Sequence, residues 1–246
     1  MLDKQGIDPS AMEGLMELPY EIDGYAADFH LLKLPIPTSV MRTTGYGPNV
    51  FALESFIDEL AHLAKQDPYR YRRKLLLKRP HAVAVLDRAA ALSHWGRALP
   101  PGHGRGIAFT EAFGSLLAQV IEVQTRGPEV KLKRVTSVVD CGRALDPKIA
   151  AQGIEGGVVF GLAYCKAEIT FQQGRAVEDN FNRYVLPSLS ETPPLATEFI
   201  ASDRKLGGIG EVSPVTVPPA LANAIFAATG KRLRSMPLSR HGLQFV

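Results

Sequence analysis

The chain has 246 residues, 46% of them hydrophobic and 22% charged, with a net charge of +3. Those proportions suit a folded chain of one or two domains and exclude a disordered one. Positive charge is scattered apart from YRYRRKLLLKRP at residues 69–80, which reads as a solvated helix end. Nucleic-acid binding calls for basic residues gathered on one face beside stacking aromatics, and no such pattern stands elsewhere.

Two cysteines, Cys141 and Cys165, are too sparse for a zinc site or a disulfide framework and read as buried small apolar side chains. No run approaches the roughly 20 apolar residues of a membrane span. The opening text MLDKQGIDPS lacks the charged-then-apolar order of a signal peptide. It is loop-like, which gives the expectation of a segment taken from within a larger fold.

In chain order, residues 26–34 read as an extended strand followed by a Pro-punctuated loop. NVFALESFIDELAHLAKQDP predicts an amphipathic helix. Asn49 is its N-cap, Asp67-Pro68 its stop, and Phe51, Leu53, Phe56, Ile57, Leu60 and Leu63 its apolar face. Two further helices follow at 68–77 and 81–94, then a turn-rich connector. GIAFTEAFGSLLAQVIEVQTRG and VKLKRVTSVVDCG read as two strands joined by the hairpin TRGPE. A helix carrying small residues on one side covers PKIAAQGIEGGVVFGLAYCKAEI. A hairpin around QQGR and a strand at LATEFIAS come next. PPALANAIFAATG predicts a helix with proline at its first turn and Gly230 as its stop, and KRLRSMPL a short strand or tail. Strands and helices mix irregularly, so the expected class is α+β with mixed sheets and flanking helices. Two parts are expected: an N-terminal segment of amphipathic helices, 1–100, and an α+β unit, 101–246.

Three glycine-bearing elements carry the candidate chemistry. GGIGEVSPVTVPPALANAIFAATG (207–230) places one carboxylate, Glu211, between glycines and a long apolar run. Gly207, Gly208 and Gly210 can take positive φ or let the backbone approach a ligand. Glu211 reads either as a partly buried general base or as a surface turn residue. QGIEGGVVFG (152–161) gives a helix one almost bare face, which suits close packing on a sheet, with Glu155 either a cap or inter-element contact, the reading favoured, or an active-site neighbour. MRTTGYGPN (41–49) sets Arg42 and two glycines ahead of the long helix, as a turn or as backbone donors for an anion. A phosphate loop is absent, because Lys231 follows Gly230 at the wrong end of a helix. No GxSxG nucleophile elbow occurs.

Together, in this order, the three elements resemble the C-terminal half of the molybdenum-binding large subunit of the xanthine dehydrogenase and aldehyde oxidase family. The branch it resembles is that of the isoquinoline 1-oxidoreductase beta subunit and related bacterial aldehyde dehydrogenases. The resembling text includes PSAMEGLMELPYEI, MRTTGYGPNVFALESFIDELAHLAKQDP, VVDCGRALDPKIAAQGIEGGVVFGL, NFNRY and GGIGEVSPVTVPPALANAIFAATG, and covers nearly the whole chain. The resemblance implies a molybdopterin-cofactor-binding α+β domain, to which residues 1–100 contribute and in which residues 101–246 carry the GxGE loop. It implies molybdenum held by a pterin cofactor, in bacteria usually the cytosine dinucleotide form, with no protein side chain as ligand. It implies oxidation of an N-heteroaromatic or aldehyde substrate with water-derived oxygen.

Carried over, Glu211 is the base beside the metal. Gly208 and Gly210 are its glycines, Arg42 and Gly45 belong to the arginine-glycine loop, and Gln152, Gly156 and Gly157 line the cofactor side. The implied partners are the N-terminal half of the molybdenum subunit and a subunit carrying 2Fe-2S clusters; neither nucleic acid nor a direct membrane span is implied. Two departures stand out. Val212-Ser213 follows the glutamate where relatives have Pro-Gly, and the family's first half, with its MGQG-type loop, lies outside the resembling text. The expectation is therefore a piece of a split subunit, incomplete alone. The alternatives are a truncated, non-catalytic or partner-binding remnant, or a small anion-binding module.

Overall fold

A computed structural model describes residues 8–32, 34–35 and 39–246. The chain is α+β. A 3-10 turn at Pro9–Met12 precedes three helices: α1 (Tyr46–Leu63), α2 (Pro68–Leu75) and α3 (Pro80–Leu92). Three long strands follow: β1 (His103–Ala112), β2 (Ser115–Arg126) and β3 (Glu129–Asp140). Then come α4 (Pro147–Lys166), the two-residue pair β4 (Phe171–Gln172) and β5 (Arg175–Ala176), β6 (Leu195–Phe199), α5 (Val212–Thr229) and β7 (Gln244–Phe245).

Strands β1, β2 and β3 form an antiparallel meander; β6 and β7 both run parallel to β3, at its two ends. Helix α5 lies on β1 and β2, with α4 and α1 beside it, while α3 packs against β2 and β3. Residues of opposite parity along the strands feed two cores. Ala108, Ile121 and Val135 join α4 and α5, and Ile107, Phe109 and Val120 join α1, α2 and α3. On the α5 side β1 has no side chain at Gly104 or Gly106. A Cβ at Gly106 would stand 2.1 Å from the Ala220 carbonyl oxygen, so the helix rests directly on the strand backbone.

Helix α5 is apolar enough, over 18 residues, to pass for a membrane span, yet 78% of it is buried in the core. Its polar side chains are satisfied. Ser213 Oγ donates to the Ile154 carbonyl at 2.8 Å, Thr216 Oγ1 to Gln119 Oε1 at 3.1 Å, and Asn223 Nδ2 to the Ile107 carbonyl at 3.2 Å. Both cysteines are buried free thiols, as expected.

Six local expectations are corrected. Residues 26–32 and 34 form no strand and are mostly exposed; Lys33 lies outside the described residues. The first long strand segment is two strands, because Phe113 (φ +54°) and Gly114 (φ +77°) make a two-residue hairpin loop without the usual Asn-Gly or Asp-Gly signal. Helix α5 begins at Val212 and carries Pro218 and Pro219 in its interior. Burial of every residue from Val212 to Ile225 offsets the helix penalty of the prolines.

Helix α1 starts at Tyr46, and Asn49 does not cap it: Nδ2 donates to the carbonyls of Ala11 (2.9 Å) and Glu13 (2.8 Å). Phe56 (56%) and Leu63 (81%) of its expected apolar face are exposed, whereas Glu54 and Asp58 are buried. The basic run at 69–80 is solvated only in part, with Arg70, Lys74 and Lys78 exposed. Arg72 is fully buried, its Nε donating to Glu54 Oε2 at 2.8 Å, and Arg79 pairs with Glu111.

Candidate active site

Loop 205–210 enters α5 under close backbone restraint. The N–H of Gly207 donates to the Cys141 carbonyl (3.1 Å) and that of Gly208 to the Phe113 carbonyl (2.7 Å), while Ser115 Oγ donates to the Gly208 carbonyl (2.8 Å). Neither Gly207, Gly208 nor Gly210 has positive φ. Gly207 is required for proximity, since a Cβ there would stand 2.3 Å from Ser115 Oγ. At Gly210 the same atom would meet nothing within 4 Å. The loop delivers Glu211 as the N-cap residue of α5, half-buried, with its side chain making no capping hydrogen bond.

That side chain turns instead to residues 41–45. Its Oε2 accepts from the backbone N–H of Thr43 at 2.9 Å. Arg42 ties the two segments again, and Tyr164 of α4 holds the first of them. Arg42 Nε donates to the Gly210 carbonyl at 2.8 Å, joined by its Nη2, and Tyr164 Oη donates to the Arg42 carbonyl at 2.6 Å. The Arg42 guanidinium lies over the Phe160 ring, 5.1 Å from its centroid. Burial pushes the Tyr164 hydroxyl up to about 12, so it remains a donor at any physiological pH.

Helix α4 crosses at this junction on its glycines. A Cβ at Gly157 would stand 2.0 Å from Ser213 Oγ and 3.4 Å from Arg42 Nη2. Gly45 likewise faces protein, with the Ser10 carbonyl oxygen 1.8 Å from where a Cβ would be. Gln152 and Gly156, one turn apart, are exposed, and nothing lies within 4 Å of a Cβ at Gly156.

Two apolar cavities flank the junction. One, of about 320 Å³, is lined by Arg42, Thr43, Phe51, Tyr164, Pro214 and Pro218. The other, of about 730 Å³, is lined by Gly156, Phe160, Tyr164, Phe181, Tyr184 and Leu186. Met41 and Tyr164 border both. Glu211 lies beside the smaller cavity, through Thr43, and is not among its lining residues.

The structure thus brings together Arg42, Gly157, Gly210 and Glu211. Gly156 opens on the adjoining cavity, Gly208 is a strut behind the loop, and Gln152 stands out on α4. Sequence reasoning missed Thr43, Phe160 and Tyr164. Phe160 and Tyr164 fall at helical spacing from Gly153, Gly156 and Gly157, a signal that was available; nothing in the sequence singles out the amide of Thr43.

The family profile of a molybdopterin cofactor-binding domain matches residues 77–193, which takes in the meander and α4 and stops before Glu211. The beta subunit of isoquinoline 1-oxidoreductase from Brevundimonas diminuta is 28% identical over 95% of this chain and 31% of its own length. A membrane-bound aldehyde dehydrogenase (pyrroloquinoline-quinone) from Gluconacetobacter polyoxogenes is 33% identical over 80% of this chain and 28% of its own. The chain belongs to the molybdopterin-binding subunits of the xanthine dehydrogenase family. In three dimensions it is similar to the aldehyde oxidoreductase of Desulfovibrio desulfuricans, with a TM-score of 0.68 at 12% identity over 81% of this chain and 40% of that one, a likeness of fold. The chain spans less than a third of the length of these two curated members of the family. The Gluconacetobacter relative carries pyrroloquinoline quinone in its name, a different cofactor from the one that the matching profile describes.

Proposed function

We propose that this chain is the part of a molybdenum-dependent hydroxylase or aldehyde dehydrogenase that holds the base, Glu211, against the cofactor. The single observation that carries the reading is the contact of Glu211 Oε2 with the Thr43 N–H at 2.9 Å. It brings the GxGE glutamate to the arginine-glycine loop from 168 residues away. The site fits a large planar group that approaches backbone. Gly156 and Gly210 face open space, with nothing within 4 Å of where a Cβ would be, and Gln152 is exposed one turn from Gly156 on α4.

On this reading Gln152, Gly156 and Gly210 hold the molybdopterin, in its cytosine dinucleotide form, while Gly208 braces the loop from behind through Phe113 and Ser115. Gly45 and Gly157 act by the close packing that lets the loop, α4 and α5 converge. When bound, the group supplies a molybdenum centre that accepts two electrons from the substrate. The chain's own contribution is to hold a proton acceptor. Glu211 takes a proton at its carboxylate, and the Thr43 N–H and the Arg42–Gly210 tie fix its position.

The substrate on this reading is an N-heteroaromatic ring or an aldehyde, matched to the apolar lining. Met41 and Phe160 are exposed at this junction, and Leu145, Ile149 and Leu206 are exposed around a separate pocket between the start of α4 and the loop before α5. Apolar surface of that extent suits cover by further polypeptide: the N-terminal half of the subunit, with a partner carrying 2Fe-2S clusters.

In the assembled enzyme Glu211→Gln is expected to lower turnover roughly 10²- to 10⁴-fold, the range of one general base, with molybdenum content unchanged. Wild-type turnover in that variant refutes the assignment. Co-purification with neighbouring gene products, followed by metal and pterin analysis, tests the partners; a folded chain that recruits neither pterin nor partner favours the non-catalytic remnant.

A further inference from the structure

The loop that meets Glu211 is strained. The Thr44 N–H donates to the Met41 carbonyl at 2.8 Å and closes a turn. Its third residue, Thr43, has φ +91°, and Thr44 follows at φ +47°. Turn positions of this kind ordinarily take glycine. Here two consecutive β-branched residues occupy the left-handed region, an arrangement that persists only where the surroundings impose it. The glycines of the loop do not relieve it, because Gly45 and Gly47 have no positive φ.

What imposes the shape comes from far upstream. One oxygen of Glu13, Oε2, accepts both the Thr44 hydroxyl and the Gly45 N–H, the latter at 2.9 Å. The segment bearing Glu13 is itself held, since Asn49 Nδ2 donates to the Ala11 and Glu13 carbonyls and Gly45 packs on the Ser10 carbonyl.

We propose that Glu13 is a positioning residue: by seizing Thr44 and Gly45 it holds the strained turn in the one shape that aims the Thr43 N–H at Glu211. The proposal rests on the reading of Glu211 given above.

The test is the amide of Thr43 in ¹H–¹⁵N spectra of the full chain. Glu211→Ala should move that proton upfield and speed its solvent exchange about tenfold, the loss of one hydrogen bond. Glu13→Ala should produce the same two changes while the amides of β1, β2 and β3 keep their positions. Glu13→Gln, whose amide oxygen can still accept both donors, should restore Thr43. A Thr43 amide unmoved by Glu13→Ala overturns the proposal, as does one that Glu13→Gln leaves fully displaced. Should Glu13→Ala not fold, Thr44→Ala removes one of the two donors; a partial displacement supports the proposal and none overturns it. A Thr43 amide indifferent to Glu211→Ala removes instead the contact on which the base reading stands, so the two failures are told apart.

Discussion

Tyr164 shows how one side chain on a neighbouring helix can set the geometry of a loop. Its hydroxyl holds the Arg42 carbonyl at 2.6 Å, so the peptide that carries the Thr43 N–H is clamped from its other face. Burial raises the hydroxyl from the ordinary 10.0 to about 12. The native state therefore keeps that proton more tightly than the unfolded chain. The resulting stability is complete below pH 10 and is lost as pH rises through 12. Tyr20, which burial lifts well above its usual value, contributes with the same sign. The expected outcome is a fall in unfolding free energy from pH 10 to 12, shallower in Tyr164→Phe than in the wild type. Urea unfolding at a series of pH values measures it, and equal slopes would count against the clamp.

Helices α4 and α5 meet through missing side chains. Gly157 sits against Ser213 and Pro214, and Gly161 against Val217, where a Cβ would stand 2.8 Å from the valine Cβ. Ser213 in turn donates to the Ile154 carbonyl, so α4 and the first turn of α5 are both packed and hydrogen-bonded. Adding one methyl at Gly157 forces the helices apart just where Arg42 and Glu211 converge. Gly157→Ala is expected to destabilise the chain by about 1–3 kcal/mol, the usual cost of overpacking, despite alanine's better helix propensity. Gly156→Ala on the same helix meets no atom within 4 Å and should be neutral or slightly stabilising. Denaturant midpoints of the two variants separate packing from propensity.

Across the molecule a buried polar network joins elements that the apolar cores alone would leave to slide. Glu54 on α1 accepts from Tyr20 Oη (2.5 Å), Arg72 Nε (2.8 Å) and the Phe109 N–H of β1 (2.9 Å). Asp58, one turn along, accepts from Arg232 at 2.9 Å. Burial alone would raise the Asp58 carboxyl; His62, Arg72 and Arg232 outweigh it and hold it below the usual range. The network fixes α1, whose first turn follows directly on the loop that faces Glu211. Arg72→Met should cost about 3–5 kcal/mol, because it strands the Glu54 charge in the core. Replacing both partners, Arg72→Met with Glu54→Leu, should cost less than the sum of the two single changes. A double-mutant cycle by urea unfolding checks this; strict additivity would show that the pair is not coupled.

The sequence determined the order of the long elements, the α+β class and the two buried thiols. It also carried the three glycine-bearing segments, because periodicity, glycine stops and apolar runs are local properties written residue by residue. It did not show which apolar positions of α1 face water, since Glu54 and Asp58 take the buried face only with Arg72 and Arg232 at hand. The start of α5 was equally hidden: Pro218 and Pro219 read as a beginning until burial on every side keeps them inside. Nor could it show that the strain of the loop falls on Thr43 and Thr44. The glycines there serve close contact with Ser10 and Thr43, and the partners that decide such things stand tens of residues away along the chain. Only the folded chain brings Glu13, Thr43, Tyr164 and Glu211 to one place, because backbone hydrogen bonds between distant segments leave no periodic mark in the text.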